Sequence, residues 1–177
     1  MKRSYKNYCL PRDSSKLCLR YSKDFDKWWD PEKFDWEKSS HRLASSCFNH
    51  FDKWWDPKKF RWASSAFLAY YCPQHFDKWW DKDKYNWKYS SYLASHCAGH
   101  FDKWWDPEKF DWISNGSYCL SKHCSDHFNK WWDPKKFNWG YSKYLVRYCP
   151  MSIGEWWNPD KVDCNIFKEL LGGGKSR

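Results

Sequence analysis

The sequence predicts an all-α fold: a short α-solenoid of about six repeats, each about 25 residues long and built as helix, turn and short helix. Three observations predict it. A Trp-rich block recurs along the chain, the apolar residues ahead of each block fall on one helical face, and an Asp-Pro pair follows most of these runs.

The block reads FDKWWDPEKFDW at 25–36, FDKWWDPKKFRW at 51–62, FDKWWDKDKYNW at 76–87, FDKWWDPEKFDW at 101–112 and FNKWWDPKKFNW at 128–139, with a worn copy, IGEWWNPDKVDC, at 153–164. A Leu stands eight residues before each leading residue: Leu17, Leu43, Leu68, Leu93, Leu120 and Leu145. The units this register defines are 14–36, 37–62, 63–87, 88–112, 113–139 and 140–164. Residues 1–13 form a basic leading segment. Leu170 falls six residues after Cys164, as Leu93 does after Trp87, so 165–177 is expected to be a capping helix with a Gly/Lys tail.

Within 88–112, Leu93, Ala94, Cys97, His100, Phe101, Trp104 and Trp105 share one helical face. The spacing predicts one continuous helix, with Ser90 or Ser91 capping its start. Asp106-Pro107 ends it, because the residue before Pro is pushed out of the helical region. Asp106 can then cap a short second helix that carries Pro107 at its first position and is anchored by Phe110 and Trp112. The linker after Trp36 is one residue longer than the usual six to the next Leu, and the linker after Trp112 is two longer. Both extra stretches are expected between helices, where insertions are tolerated. Lys82 replaces the corner Pro in one copy, so Pro is not required there.

Composition constrains function. The chain of 177 residues is 23% aromatic, yet its mean hydropathy of −1.06 is that of a polar chain, which implies rings on one face and polar groups on the other. No apolar run approaches the ~20 residues that span a bilayer, and Met1 to Arg12 lacks the apolar core of an export signal. A cytoplasmic or nuclear location is expected, with no membrane partner. The net charge of +9 sits mostly at the ends: residues 1–24 carry seven Lys/Arg against Asp13 and Asp24, and 165–177 carry three against Glu169, leaving +2 between Phe25 and Cys164. A protein that tracks a nucleic-acid backbone spreads its charge along the binding surface instead. Nine Cys is an odd count, and Cys47, Cys72, Cys97, Cys124 and Cys149 recur once per repeat, which marks a structural slot holding reduced thiols rather than a disulfide framework.

Four constellations could carry chemistry. Cys47/His50, Cys72/His75, Cys97/His100 and Cys124/His127 are i, i+3 pairs, each half of a tetrahedral zinc site. Against this, they form a uniform ladder, and small buried Cys and hydrogen-bonded inner His are common. Cys/His nucleophilic catalysis needs a single asymmetric constellation with an orienting third group, which a regular array does not offer. Lys27, Lys53, Lys78, Lys103 and Lys130, each followed by two Trp, suggest phosphate contacts beside stacking platforms, although the Trp lie on the apolar stripe and Asp26, Asp52, Asp77 and Asp102 offset the Lys. The fourth is the short segment after the corner. Its two polar positions read Glu32/Asp35, Lys58/Arg61, Asp83/Asn86, Glu108/Asp111, Lys135/Asn138 and Asp160/Asp163, so charge changes in concert from copy to copy. They form either a partner-facing edge or a solvated face that has drifted. Gly172-Gly173-Gly174-Lys175-Ser176 lacks the leading Gly of a phosphate loop, since Glu169 stands there.

The FDKWWDP-x-KF-x-W block, preceded by Leu-Ala-x-x-x-Cys-x-x-His, resembles the Trp-rich tandem repeats of uncharacterised proteins of large DNA viruses. The resemblance spans residues 14–164. It implies a viral origin and no activity, and it assigns no functional residues.

The expectation is therefore a non-enzymatic repeat scaffold for protein–protein interaction or self-assembly, with no cofactor and no small-molecule substrate. Its rivals are a nucleic-acid-binding solenoid using the per-repeat Lys and Trp, and a structural metal-binding repeat using the Cys-x-x-His pairs with zinc.

Overall fold

A computed structural model of the chain describes residues 13–162. Among these residues the structure is all-helical, with short helices in repeated packing and no strand. No helix among them is long and apolar enough to cross a membrane. The expected leading segment up to Arg12, the Leu170 cap, the Gly/Lys tail, and Asp163 and Cys164 lie outside the described residues.

The chain divides into two compact units, Met1–Asn86 and Trp87–Arg177, within one residue of the boundary between the third and fourth sequence units. In the first, α1 (Ser14–Tyr21), α3 (Trp36–Ser46) and α5 (Ser65–Tyr71) pack side by side, and each is followed by a one-turn helix: α2 (Phe25–Trp28), α4 (Phe51–Trp54) and α6 (Phe76–Trp79). In the second, α7 (Ser90–His96), α9 (Gly116–His123) and α11 (Ser142–Tyr148) pack in the same way, followed by α8 (Phe101–Trp104), α10 (Phe128–Trp131) and α12 (Ile153–Trp156).

The continuous helix expected over Leu93–Trp105 is broken. α7 stops at His96, Cys97 leaves helical geometry at φ −119° and ψ 26°, a 3₁₀ turn covers Ala98–His100, and α8 begins at Phe101. The indole of Trp104 explains the break. Its Nε1 donates to the Cys97 carbonyl at 2.8 Å, and the His100 amide donates to the same oxygen at 2.9 Å. Trp54, Trp79, Trp131 and Trp156 repeat this bond to Cys47, Cys72, Cys124 and Cys149, and Trp28 makes it to Tyr21. A fully buried indole N–H needs an acceptor. The break provides one and still leaves Leu93, Cys97, Phe101 and Trp104 in the core.

The corner is as expected in its capping but shorter in its helix. Asp106 Oδ1 accepts from the amides of Glu108 and Lys109, and its carbonyl accepts from Phe110 at 3.0 Å, so one turn closes and no second helix forms. The last Trp then turns back on the corner, with Trp36, Trp62, Trp112 and Trp139 donating Nε1 to the carbonyls of Pro31, Pro57, Pro107 and Pro134.

The serine expected to cap each helix does something else. Tyr89 occupies the position before α7 and makes no side-chain cap. Ser90 lies inside the helix, fully buried, and its Oγ accepts the amide of Asp111, 21 residues on, at 2.8 Å. Ser14, Ser40, Ser65 and Ser117 bind the amides of Asp35, Arg61, Asn86 and Asn138 in the same way. Each of these five copies is thereby tied shut from its first helix to its last loop.

The linker extensions are handled differently from one another. The extra residue after Trp36 is not left between helices. It is absorbed as α3 starts at Trp36 with Asp35 as its cap, whereas the corresponding Trp62–Ser64, Trp87–Tyr89 and Trp139–Tyr141 are 3₁₀ turns. The two extra residues after Trp112 do form a loop, and Gly116 closes it: a Cβ there would lie 2.0 Å from the Asp111 carbonyl oxygen and 2.6 Å from the Phe110 ring.

Candidate interaction surfaces

The Cys-x-x-His positions point in different directions. Cys72, Cys124 and Cys149 are buried, and their Sγ donate to the carbonyls of Ala44, Ala94 and Ser121 in the preceding copy at 3.8, 3.6 and 3.7 Å. Cys47 is buried against Cys18, and a thiol–thiol hydrogen bond together with burial drives the Cys18 pKa upward. Burial pushes the thiols of Cys72, Cys97, Cys124 and Cys149 up to about 12, so they stay protonated and unreactive at neutral pH. The imidazoles instead stack on the Phe of the preceding copy. His50 lies on Phe25 at 4.7 Å and 8°, His75 on Phe51 at 4.3 Å and 9°, and His127 on Phe101 at 4.4 Å and 8°. The other face of each Phe carries the second Trp of its own pair, as Trp55 on Phe51 at 5.3 Å and 19°. His100 is half-buried at the equivalent position. Among the described residues no three His, Cys, Asp or Glu side chains converge where they could hold a metal ion.

Three of the per-repeat lysines are partnered across copies. Lys53 bonds Asp26, Lys78 bonds Asp52 and Lys130 bonds Asp102, at 2.6, 2.5 and 2.6 Å, while Lys27 in the first copy bonds Asp24 at 2.6 Å. Lys53, Lys78 and Lys130 therefore pair with the Asp of the copy before, not with their own neighbours in the sequence. These bonds hold the carboxyls of Asp26, Asp52 and Asp102 below the usual range. Lys103 sits at the same place in its block and is exposed. Where the ladder would continue from α10 to α12, Asn129 stands in place of the Asp and Glu155 in place of the Lys.

The two polar positions after the corner do separate jobs, because the segment between them is a single turn rather than a helix with a shared face. The first is exposed. Glu32 accepts from Lys59, and Glu108 from Lys136, both at 2.5 Å and both from the following copy. Lys58, Asp83, Lys135 and Asp160 are exposed at the equivalent sites. After Lys58 and Lys135, which are cationic, the next copy's lysine turns elsewhere: Lys84 sits 5.5 Å over Trp62, and Lys161 5.0 Å over Trp139. The second position is half-buried in most copies and belongs to the backbone. Asp35 caps Lys38, Asp111 accepts from Ile113 and Ser114, Asn138 accepts from Gly140, and Asn86 Nδ2 donates to Ala63. Arg61 pairs with Glu37 at 3.0 Å. Asp163 lies outside the described residues.

Sequence reading missed the surface on the other side of the repeats. The outward face of α7, α9 and α11 is aromatic and basic. Tyr118 meets Tyr144 at 4.5 Å, and Tyr144 stacks on Tyr148 at 6.2 Å and 8°. Tyr92 lies parallel to His96 at 6.2 Å. Lys122 donates to the Tyr118 hydroxyl at 3.0 Å and lies over that ring, Lys143 lies over Tyr144, and Arg147 lies over Tyr148. Burial lowers the pKa of His96 and His123, and the nearby Lys122 and His96 lower His123 further. The available signal was segregation of charge: 88–96, 113–123 and 140–148 contain no Asp or Glu at all, a fact that net charge over the whole array conceals.

Comparison with family models, with curated proteins and with solved structures returns no match.

Proposed function

We propose that this chain is a non-enzymatic α-solenoid of six repeats whose role is to present an extended surface to a protein partner. The observation that carries this reading is the use made of the chemically capable side chains. Cysteines, histidines and per-repeat lysines recur in neighbour-to-neighbour contacts, such as the Cys72 thiol on the Ala44 carbonyl, His75 on Phe51 and Lys78 on Asp52. Repeat arrays stabilised through such neighbour contacts leave an exposed face available for recognition.

The same contacts weigh against the rival readings. The first Trp of each pair is buried with its indole N–H bonded inside the fold, and Lys53, Lys78 and Lys130 are held by carboxylates, which leaves that set poorly suited to stacking bases and binding phosphates. Selection of a random peptide display library on the purified full chain tests the proposal. A scaffold enriches related peptides, and a selection that enriches none overturns the reading.

A further inference from the structure

We infer that the outward face of α7, α9 and α11 is the docking surface, and that its occupant is an acidic segment of a partner protein. This inference rests on the scaffold reading above and specifies the site and the chemistry of the partner.

The argument begins with charge. Every carboxylate of residues 87–162 lies in the corners, the one-turn helices or the turns that precede them, and the one nearest this face by sequence is Asp126, in the turn after α9. The exposed cations Lys122, Lys143 and Arg147 therefore have no carboxylate on their own helices to bind. On the opposite layer, by contrast, Lys130 and Lys136 are each bonded to a carboxylate. Three cations on one face, with no carboxylate partner among the described residues, attract a polyanion and steer its approach.

Ring geometry then distinguishes between polyanions. Single-stranded nucleic acid is held by aromatic faces open to stacking. Here the rings of Tyr118, Tyr144 and Tyr148 carry Lys122, Lys143 and Arg147 over them, at 5.4, 5.1 and 5.5 Å, and pack on one another besides. The cations are thus held above a pre-ordered aromatic floor. Carboxylates bind the cations, and apolar side chains between them rest on the half-buried rings. Tyr and Arg are the residues enriched in protein interfaces, where rigid rings bury area at low entropic cost. The His96 and His123 imidazoles, exposed on α7 and α9, extend the same face.

The test is fluorescence anisotropy on the full chain with two probes: a labelled peptide of repeating Glu-Glu-Phe-Leu and a labelled oligothymidylate of matched charge. The peptide is expected to bind, more weakly as salt rises, and the variant K122E/K143E/R147E is expected to lose about tenfold or more in affinity. The milder K122A/K143A/R147A is expected to lose less, and K135E, on the opposite layer, to bind as the parent does. Thermal melts confirm that the variants are folded. Absence of peptide binding, equal losses in the triple variant and in K135E, or tighter binding of oligothymidylate than of peptide overturns the inference. The peptide library keeps the two claims apart. Enriched peptides that are neutral or basic and indifferent to the triple variant sink this site and leave the scaffold standing, whereas no enrichment at all sinks the scaffold.

Discussion

At the scale of single residues, the fold depends on small polar groups that are buried and singly committed. Ser90 has one partner of consequence, the Asp111 amide. Replacing it with Ala leaves that N–H without its acceptor, and the expected cost is about 1–3 kcal/mol in urea unfolding, against less than about 0.5 kcal/mol for Ser91→Ala, one position away. The serine was legible in the sequence as a recurrent position, but its task was not. A cap bonds within a few residues, whereas this bond spans 21, and no local pattern specifies a partner at that distance. The thiols were read more fully: their regular spacing marked a buried slot, and a buried slot is what they occupy. Cys72, Cys97, Cys124 and Cys149 are therefore expected to resist Ellman's reagent at pH 8 in the native protein and to react once it is unfolded in guanidinium.

At the scale of elements, the indole bond decides where the helix breaks. Apolar periodicity placed Leu93, Cys97, Phe101 and Trp104 correctly on one side, because a helix, a 3₁₀ turn and a second helix keep nearly the same side inward. It could not reveal the interruption, because the acceptor for Trp104 is a main-chain carbonyl and leaves no trace in residue type. Trp104→Phe keeps most of the ring but gives up the bond to Cys97, and is expected to cost about 1–3 kcal/mol in the same unfolding measurement. A cost within error of zero would separate the break from the indole. The extended linker provides a second check. Gly116→Ala forces a Cβ against the Asp111 carbonyl and is expected to destabilise by about 1–3 kcal/mol, whereas Gly99→Ala, with nothing within 4 Å, is expected to be neutral or mildly stabilising. The Asp-Pro corner was legible because capping is local chemistry. The different tasks of Glu108 and Asp111 were not, since one bonds to the following copy and the other to its own loop.

At the scale of the whole molecule, the burial of histidines and the pairing of carboxylates set how stability follows pH. Burial depresses the pKa of His41, His96 and His123 below the ordinary 6.5, so the unfolded chain takes up these protons first. Their contribution to stability is present above pH 6.5 and is lost as pH falls through the depressed native values. The Asp26, Asp52 and Asp102 carboxyls act in the same direction at lower pH, contributing above their ordinary 3.8 and failing below it. The melting temperature is thus expected to decline from pH 7 to pH 5, while affinity for an acidic peptide rises as His96 and His123 gain charge. His96→Gln with His123→Gln should flatten the second trend. Net charge over the array gave no hint of the acid-free stretches 88–96, 113–123 and 140–148, because their four cations, Lys88, Lys122, Lys143 and Arg147, are offset by a net −2 over the rest of 25–164.

Which layer faces a partner is the central question, and hydroxyl-radical footprinting of the full chain with a selected peptide bound answers it most directly. Protection is expected at Tyr118, Tyr144 and Tyr148, with Pro107, Pro134 and the corner aromatics unchanged. Protection confined to the corners, with the tyrosines as reactive as in the free protein, would contradict the account.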